Sequence, residues 1–154
     1  MEYETSAYNA VIKELDRRQW HYQMNQERDV IDIGIRLSGR ISSVRLYIIF
    51  GKNGYMVSVS SPLRARPEQY PDMLRLLNSI NCNLIAGNFE LKEANGEISY
   101  RFYIPHEQMR LSEAAVQQSL NTPLSTFEDW TDAIVMILMD TGSVEDALQL
   151  NERN

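Results

Sequence analysis

The sequence predicts an α+β fold: a five-stranded antiparallel sheet with flanking helices, in the order α-β-β-β-α-β-β-α. Three observations carry that expectation. Apolar and polar residues alternate through Ile31–Leu37, Val44–Phe50 and Tyr55–Val59, the period of strands buried on one face. Ser38-Gly39 and Lys52-Asn53-Gly54 break these runs as short turns, which suit antiparallel hairpins. From residue 67 to residue 80 the apolar spacing becomes three and four, which is helical, before alternation returns.

Taken in order, Ser6 is placed to cap a helix running to about Arg18, with Tyr8, Val11, Ile12 and Leu15 on one side and Trp20 closing its end against the sheet. In the second strand, Val44, Leu46, Ile48 and Phe50 form the core face. Tyr47 and Ile49 make the opposite face apolar as well, so a helix or another subunit is expected to cover it. Pro62 is expected to end the third strand. Arg66-Pro67-Glu68 opens the next helix, with Pro71 in its first turn or the true start nearer Tyr70. Tyr70, Met73, Leu74, Leu77 and Ile80 share a face of it, and Asn81, Asn83 and Gly87 stop it. Phe89 and Leu91, then Ile98, Tyr100, Phe102 and Ile104, alternate around Asn95-Gly96, the pair best suited to the positive backbone angles of a tight hairpin.

The last third is helical. Ser112 is placed to cap a short helix through Leu120, interrupted at Asn121-Thr122-Pro123. Ser125-Thr126-Phe127-Glu128 then fits a capping box opening a second helix. Phe127, Trp130, Ile134, Ile137 and Leu138 share one face; Val135, Met136 and Met139 fill the others, so Ala133–Met139 is apolar nearly all round. Such a helix is either covered on both sides within one chain or meets a partner. Gly142 ends it, and Ser143-Val144-Glu145-Asp146 starts a final short turn of helix.

Leu76-Leu77-Asn78-x-x-Asn81, Gly87-Asn88-Phe89-x-Leu91 and Gly96-x-Ile98-x-Tyr100-Arg101 resemble the YbjN family, bacterial domains described as sensory-transduction regulators. The likeness runs by motif over roughly residues 67–140 and by element order elsewhere. That family resembles the type III secretion chaperone fold, a twisted antiparallel sheet flanked by helices. The resemblance implies that fold, and binding of another protein as the mode of action.

A length of 154 residues suits one domain over the whole chain, 1–154. The longest apolar run, Ala133–Met139, has seven residues, against about 20 needed to span a bilayer. Met1-Glu2-Tyr3-Glu4 lacks the basic-then-apolar build of a signal peptide, so no membrane insertion is expected. The single cysteine, Cys82, forms no internal disulfide and suits a reducing compartment; the chain is expected to be cytoplasmic. A net charge of -6 argues against nucleic-acid binding. That charge is uneven: residues 36–75 hold 7 basic side chains to 2 acidic ones. A solvated sheet face accounts for this, and the sharper reading is an anion-binding surface at Arg45, Arg64 and Arg66, with Arg36 nearby.

No catalytic, metal or cofactor set emerges. His21 and His106 lack ligand spacing and read as surface or strand-end residues. Cys82 reads as a small packed side chain, and a Cys82/His106 nucleophile pair as a remote rival. Glu128, Asp129, Asp132 and Asp140 read as a solvated stripe rather than paired catalytic carboxylates. Met56, Met73, Met109, Met136 and Met139 read as core filling or as adaptable contact residues. The leading expectation is a non-enzymatic interaction module: a homodimer that binds another protein through Trp130, Ile134, Val135, Ile137, Met139, Tyr47 and Ile49. The alternative is a ligand-sensing regulatory domain that takes a small anionic metabolite near the three arginines.

Overall fold

The computed structural model describes residues 5–106 and 111–152. Helix α1 (Thr5–Arg17) leads into strands β1 (Gln23–Asn25), β2 (Val30–Arg36), β3 (Ser43–Phe50) and β4 (Gly54–Arg64). A 3-10 turn at Pro67–Gln69 precedes α2 (Tyr70–Asn81), and β5 (Asn88–Lys92) and β6 (Glu97–Pro105) follow. Helices α3 (Glu113–Asp129), α4 (Thr131–Leu138) and α5 (Val144–Glu152) complete the order. The sheet is antiparallel throughout, with strands ordered β1-β2-β3-β4-β6-β5.

The sheet has six strands where the sequence predicts five. The addition is β1, whose three residues pair with β2 as Gln23↔Asp32, Met24↔Ile31 and Asn25↔Val30. A polar three-residue edge strand has no alternation of its own to read; its partner's free edge creates it. Pro62 does not end β4 but sits in the register shift between Ser60 and Arg64, where a residue without an N–H costs the ladder nothing. The hairpin turn between β5 and β6 spans the four residues 93–96, and of Asn95 and Gly96 only Gly96 has positive φ, at 73°.

One face of the sheet meets the helices. Ile31, Ile33, Val44, Leu46, Ile48, Tyr55, Val57, Val59, Ile98 and Tyr100 are buried there against Leu15, Met73, Leu76, Leu77, Ile80, Val116, Leu120 and Phe127. On α2, Leu76 takes the buried place expected of Leu74, which is 40% exposed. A polar chain ties sheet to helix: the Tyr55 hydroxyl donates to Ser119 Oγ at 2.7 Å, and that hydroxyl donates to the Val116 carbonyl at 2.6 Å. The resemblance motifs sit at the junction of α2 with the hairpin. The Asn81 side chain bonds both the N–H of Phe89 (2.8 Å) and its carbonyl (3.0 Å), as a neighbouring strand would. Tyr100 passes over Gly87 to donate to the Ala86 carbonyl at 2.6 Å.

The C-terminal helices differ most from expectation. Helix α3 runs from Ser112, whose Oγ accepts from Ala115 N–H at 3.1 Å, straight through Pro123 to Asp129. Pro123 is buried, so packing holds the helix across the missing hydrogen bond. The expected capping box at Ser125–Glu128 therefore does not form. Glu128 instead accepts from Ser38 N–H (2.9 Å) and Oγ (2.6 Å), which holds its carboxyl below the usual range. A reciprocal box does form at Ser143 and Asp146, opening α5. The break falls at Trp130, and α4 is packed among α2, α3 and α5.

Two buried polar residues hold the helices. Gln69 donates to the carbonyls of Ile137 (3.1 Å) and Leu138 (2.9 Å) and to Asp140 Oδ1 (3.0 Å), closing the end of α4. Glu14, 3% exposed, accepts from Arg17 (2.6 and 2.8 Å) and Arg18 (2.6 Å), and Arg18 also reaches Asn121 on α3 at 2.8 Å. The Arg17 bonds, opposed by burial and helped by Arg18, lower the Glu14 pKa from 4.5 to about 2. A depressed carboxylate adds stability above the unfolded value, and that stability is lost as pH falls through the folded one. Glu14→Gln is expected to cost about 1–2 kcal/mol at pH 7 and progressively less from pH 4.5 towards pH 2, as read by urea melts across that range.

Candidate functional site

The second face of the sheet is a trough of about 1070 Å³. Every residue lining it comes from a strand or from the turn between β1 and β2, and none from a helix. Cross-strand register sets its side chains in rows. Val30, Ile49, Met56 and Tyr103 stand side by side across β2, β3, β4 and β6 as an apolar row. The next row reads Asp32, Tyr47, Ser58, Arg101 and Asn88, and the one after it Gly34, Arg45, Ser60, Ser99 and Glu90. Small side chains therefore floor the trough. Ser58, Ser60 and Ser99 are 9%, 6% and 2% exposed, between taller neighbours on β3 and at the β5 edge.

Ion pairs flank this floor. The Arg45 guanidinium, passing 3.7 Å from where a Gly34 Cβ would stand, pairs with Asp32 Oδ2, and that contact raises the Arg45 pKa. Asp32 Oδ1 has no hydrogen-bond partner. On the far side, Arg101 meets Glu90 at 3.1 Å and Lys92 meets Glu97 at 2.7 Å.

Several residues singled out in the sequence are dispersed. Arg64 lies 3.7 Å from Glu97, whereas Arg66 lies at the end of α4, held by Glu68 (2.8 Å) and Asp140 (2.6 Å). Each of the three candidate anion-binding arginines thus already carries a carboxylate. Of the candidate interface residues, Ile134, Val135 and Ile137 are 0%, 6% and 4% exposed, so the chain itself takes up that apolar surface. Trp130 is half-buried, and Met139, at 54%, is open to solvent. Tyr47 (half-buried) and Ile49 (39% exposed) stand in the trough. Met73 is core, Met136 and Met56 are half-buried, and Met109 lies outside the described residues, as does Glu107 beside His106.

The Cys82/His106 pair does not form. Cys82 is exposed rather than packed, at the end of α2 where Asn81 clips Phe89 opposite Tyr100. His106 is buried beyond the other end of β6, stacked on Tyr55 at 6.3 Å. Six residues of strand, roughly 20 Å, separate the two ends. Asp132 and Asp140 of the acidic stripe are paired with Arg40 and Arg66. Among the described residues no group of three or more His, Cys, Asp or Glu is placed to hold a metal, and no helix is long and apolar enough to cross a membrane.

Sequence reasoning found Tyr47 and Ile49 and read Met56 as core filling or an adaptable contact, but missed Val30 and Tyr103. The signal was a large side chain on the polar side of each strand's alternation.

A family profile described as YbjN, "putative bacterial sensory transduction regulator", matches residues 8–136. Among solved structures, the fold is similar to that of "YbjN, a putative transcription regulator from E. coli", with a TM-score of 0.58 at 10% identity, covering 86% of this chain and 89% of that one. No curated protein sequence matches significantly.

Proposed function

The chain belongs to the YbjN family, and on that premise we propose that it is a cytoplasmic regulatory module that performs no chemistry of its own, works as a homodimer and binds another protein. The observation that carries this reading is the open sheet face: a helix-free trough with an apolar row along one side and a floor of small hydroxyls. Acid–base work needs an ionisable group poised beside a reacting atom, and six of the charged side chains in and beside the trough are tied up as the ion pairs Asp32–Arg45, Glu90–Arg101 and Lys92–Glu97. Shape and register serve protein contact. The lone thiol, Cys82, supports a reducing compartment.

Light scattering at micromolar concentration is expected to return a dimer. Ile49→Glu and Ser58→Arg, each with an unchanged circular dichroism spectrum, are expected to return monomers. A wild-type monomer would end the homodimer reading, and a dimer indifferent to both substitutions would take the open face out of it. The sensing alternative would require Arg45, Arg64 and Arg66 to leave Asp32, Glu97 and the Glu68/Asp140 pair. The melting temperature is therefore expected to stay flat across a panel of small anions and nucleotides; a clear rise with any of them would favour sensing.

A further inference from the structure

Beyond its part in protein contact, we propose that the trough is a ligand site for a short neutral oligosaccharide, with sugar hydroxyls on the serine floor and sugar rings against the apolar row. Ser58, Ser60 and Ser99 open into the trough, and among the described residues no hydrogen bond joins their hydroxyls to another group. Mid-sheet positions favour β-branched and aromatic side chains, so three hydroxyls side by side are unusual there. Ser60 stands opposite Ser99, about 5 Å away across the ladder, and Ser58 lies about 7 Å along β4. Whatever covers this floor has to bring donors and acceptors, because a hydroxyl shut under apolar surface loses its hydrogen bonds.

Charge decides against an ion. Around the trough, Glu27, Asp32, Glu90 and Glu97 are matched by Arg28, Arg45, Lys92 and Arg101, four against four, in a chain of net charge -6. Three of these acid–base pairs are closed, so a charged ligand would have to break one, and a neutral ligand need not. Hydrogen-bonding capacity nevertheless remains. Arg101 reaches Glu90 from Nη1 alone, and the Gln23 side-chain amide bonds no other described residue. Planar guanidinium and amide groups present paired polar atoms, which adjacent sugar hydroxyls can answer as donors and acceptors.

The apolar row supplies the other half of such a site. Val30, Ile49, Met56 and the exposed ring of Tyr103 offer a surface for the C–H faces of sugar rings. From β2 to β5 the trough crosses five strands, about 19 Å at the usual spacing, which suits a chain of rings rather than one. An extended peptide is a poorer fit. Its own N–H and C=O groups call for a sheet edge to pair with, and a floor of side chains offers none. A sugar and a protein partner cannot fill the trough together, so the ligand is expected to shift any dimer formed through this face towards monomer.

Titration calorimetry and thermal melts of the full chain test this with four neutral probes: maltotetraose, cellotetraose, laminaritetraose and N-acetylchitotetraose. At least one is expected to bind with a millimolar or tighter dissociation constant and to raise the melting temperature. Ser58→Ala combined with Ser60→Ala is expected to weaken that binding about tenfold or more with an unchanged circular dichroism spectrum. Ser58→Arg, which sets a long side chain in the trough, is expected to abolish it by a second route. Ser79→Ala, on α2, is expected to change nothing. Binding by none of the four overturns the proposal, as does binding that survives both trough variants. A dimer lost in Ile49→Glu, with no sugar bound by the wild type, removes the saccharide and keeps the contact surface. A bound sugar on a chain that is monomeric throughout does the reverse.

Discussion

Ile137→Glu is expected to unfold the chain rather than to dissociate an assembly. Ile137 is 4% exposed and stands in the cluster that α4 forms with α2, α3 and α5, and its carbonyl accepts from Gln69. A carboxylate there must either ionise without a counter-charge or hold its proton at neutral pH. Together with the lost packing, that costs on the order of 4–5 kcal/mol, comparable to the whole stability of many domains. Urea denaturation followed by circular dichroism should show the midpoint collapse, or no folded protein at all. Met139→Glu, two residues on and 54% exposed, should leave the midpoint nearly unchanged. A folded, stable Ile137→Glu monomer would show that α4 packs against something other than its own chain.

Gly96→Ala is expected to be nearly as damaging. Gly96 has φ of 73°, where a side chain is strained, and a Cβ would stand 2.0 Å from the Ala65 carbonyl oxygen. That oxygen cannot retreat freely, because the N–H of Ala65 donates to the Gly96 carbonyl at 2.9 Å and joins the end of β4 to the hairpin turn. Strain and displaced backbone together should cost about 3 kcal/mol or more. Gly34→Ala is the control: its φ is ordinary and its Cβ would meet only the tip of Arg45 at 3.7 Å. Equal melting temperatures for the two variants would refute the role given to the Gly96 contact.

Local patterns carried much of this fold into view. Period-two alternation marked β2, β3, β4 and β6, because one face of each is buried under helices and the other is not. The Ser112 cap and a helix opening at Pro67, with its true start nearer Tyr70, were legible because each depends on residues within one turn; that Pro67–Gln69 is a 3-10 turn was not. The two capping-box patterns show where locality stops. Ser125 and Glu128 have the right spacing, yet α3 runs through them because Pro123 and Phe127 are buried in the core. The same chemistry at Ser143 and Asp146 closes the box where the chain has to start a helix.

Helix α4 is the clearest case. Hydropathy marked Ala133–Met139 as needing cover on every side and left open whether the same chain or a partner supplies it. Packing decides for the same chain, since α5, read as a single short turn, runs nine residues and lies along α4. The open face went the other way. Tyr47 and Ile49 were visible within one strand, but the rows joining Val30 to Tyr103 and Asp32 to Arg101 link residues about 70 positions apart.

Composition and periodicity were enough to establish an antiparallel α+β protein, because burial on one face imprints a period on the residues that suffer it. Which apolar surface stays exposed, and which charges stand opposite one another, came only with strand pairing and helix docking. Those contacts join segments that carry no trace of each other in their local sequence.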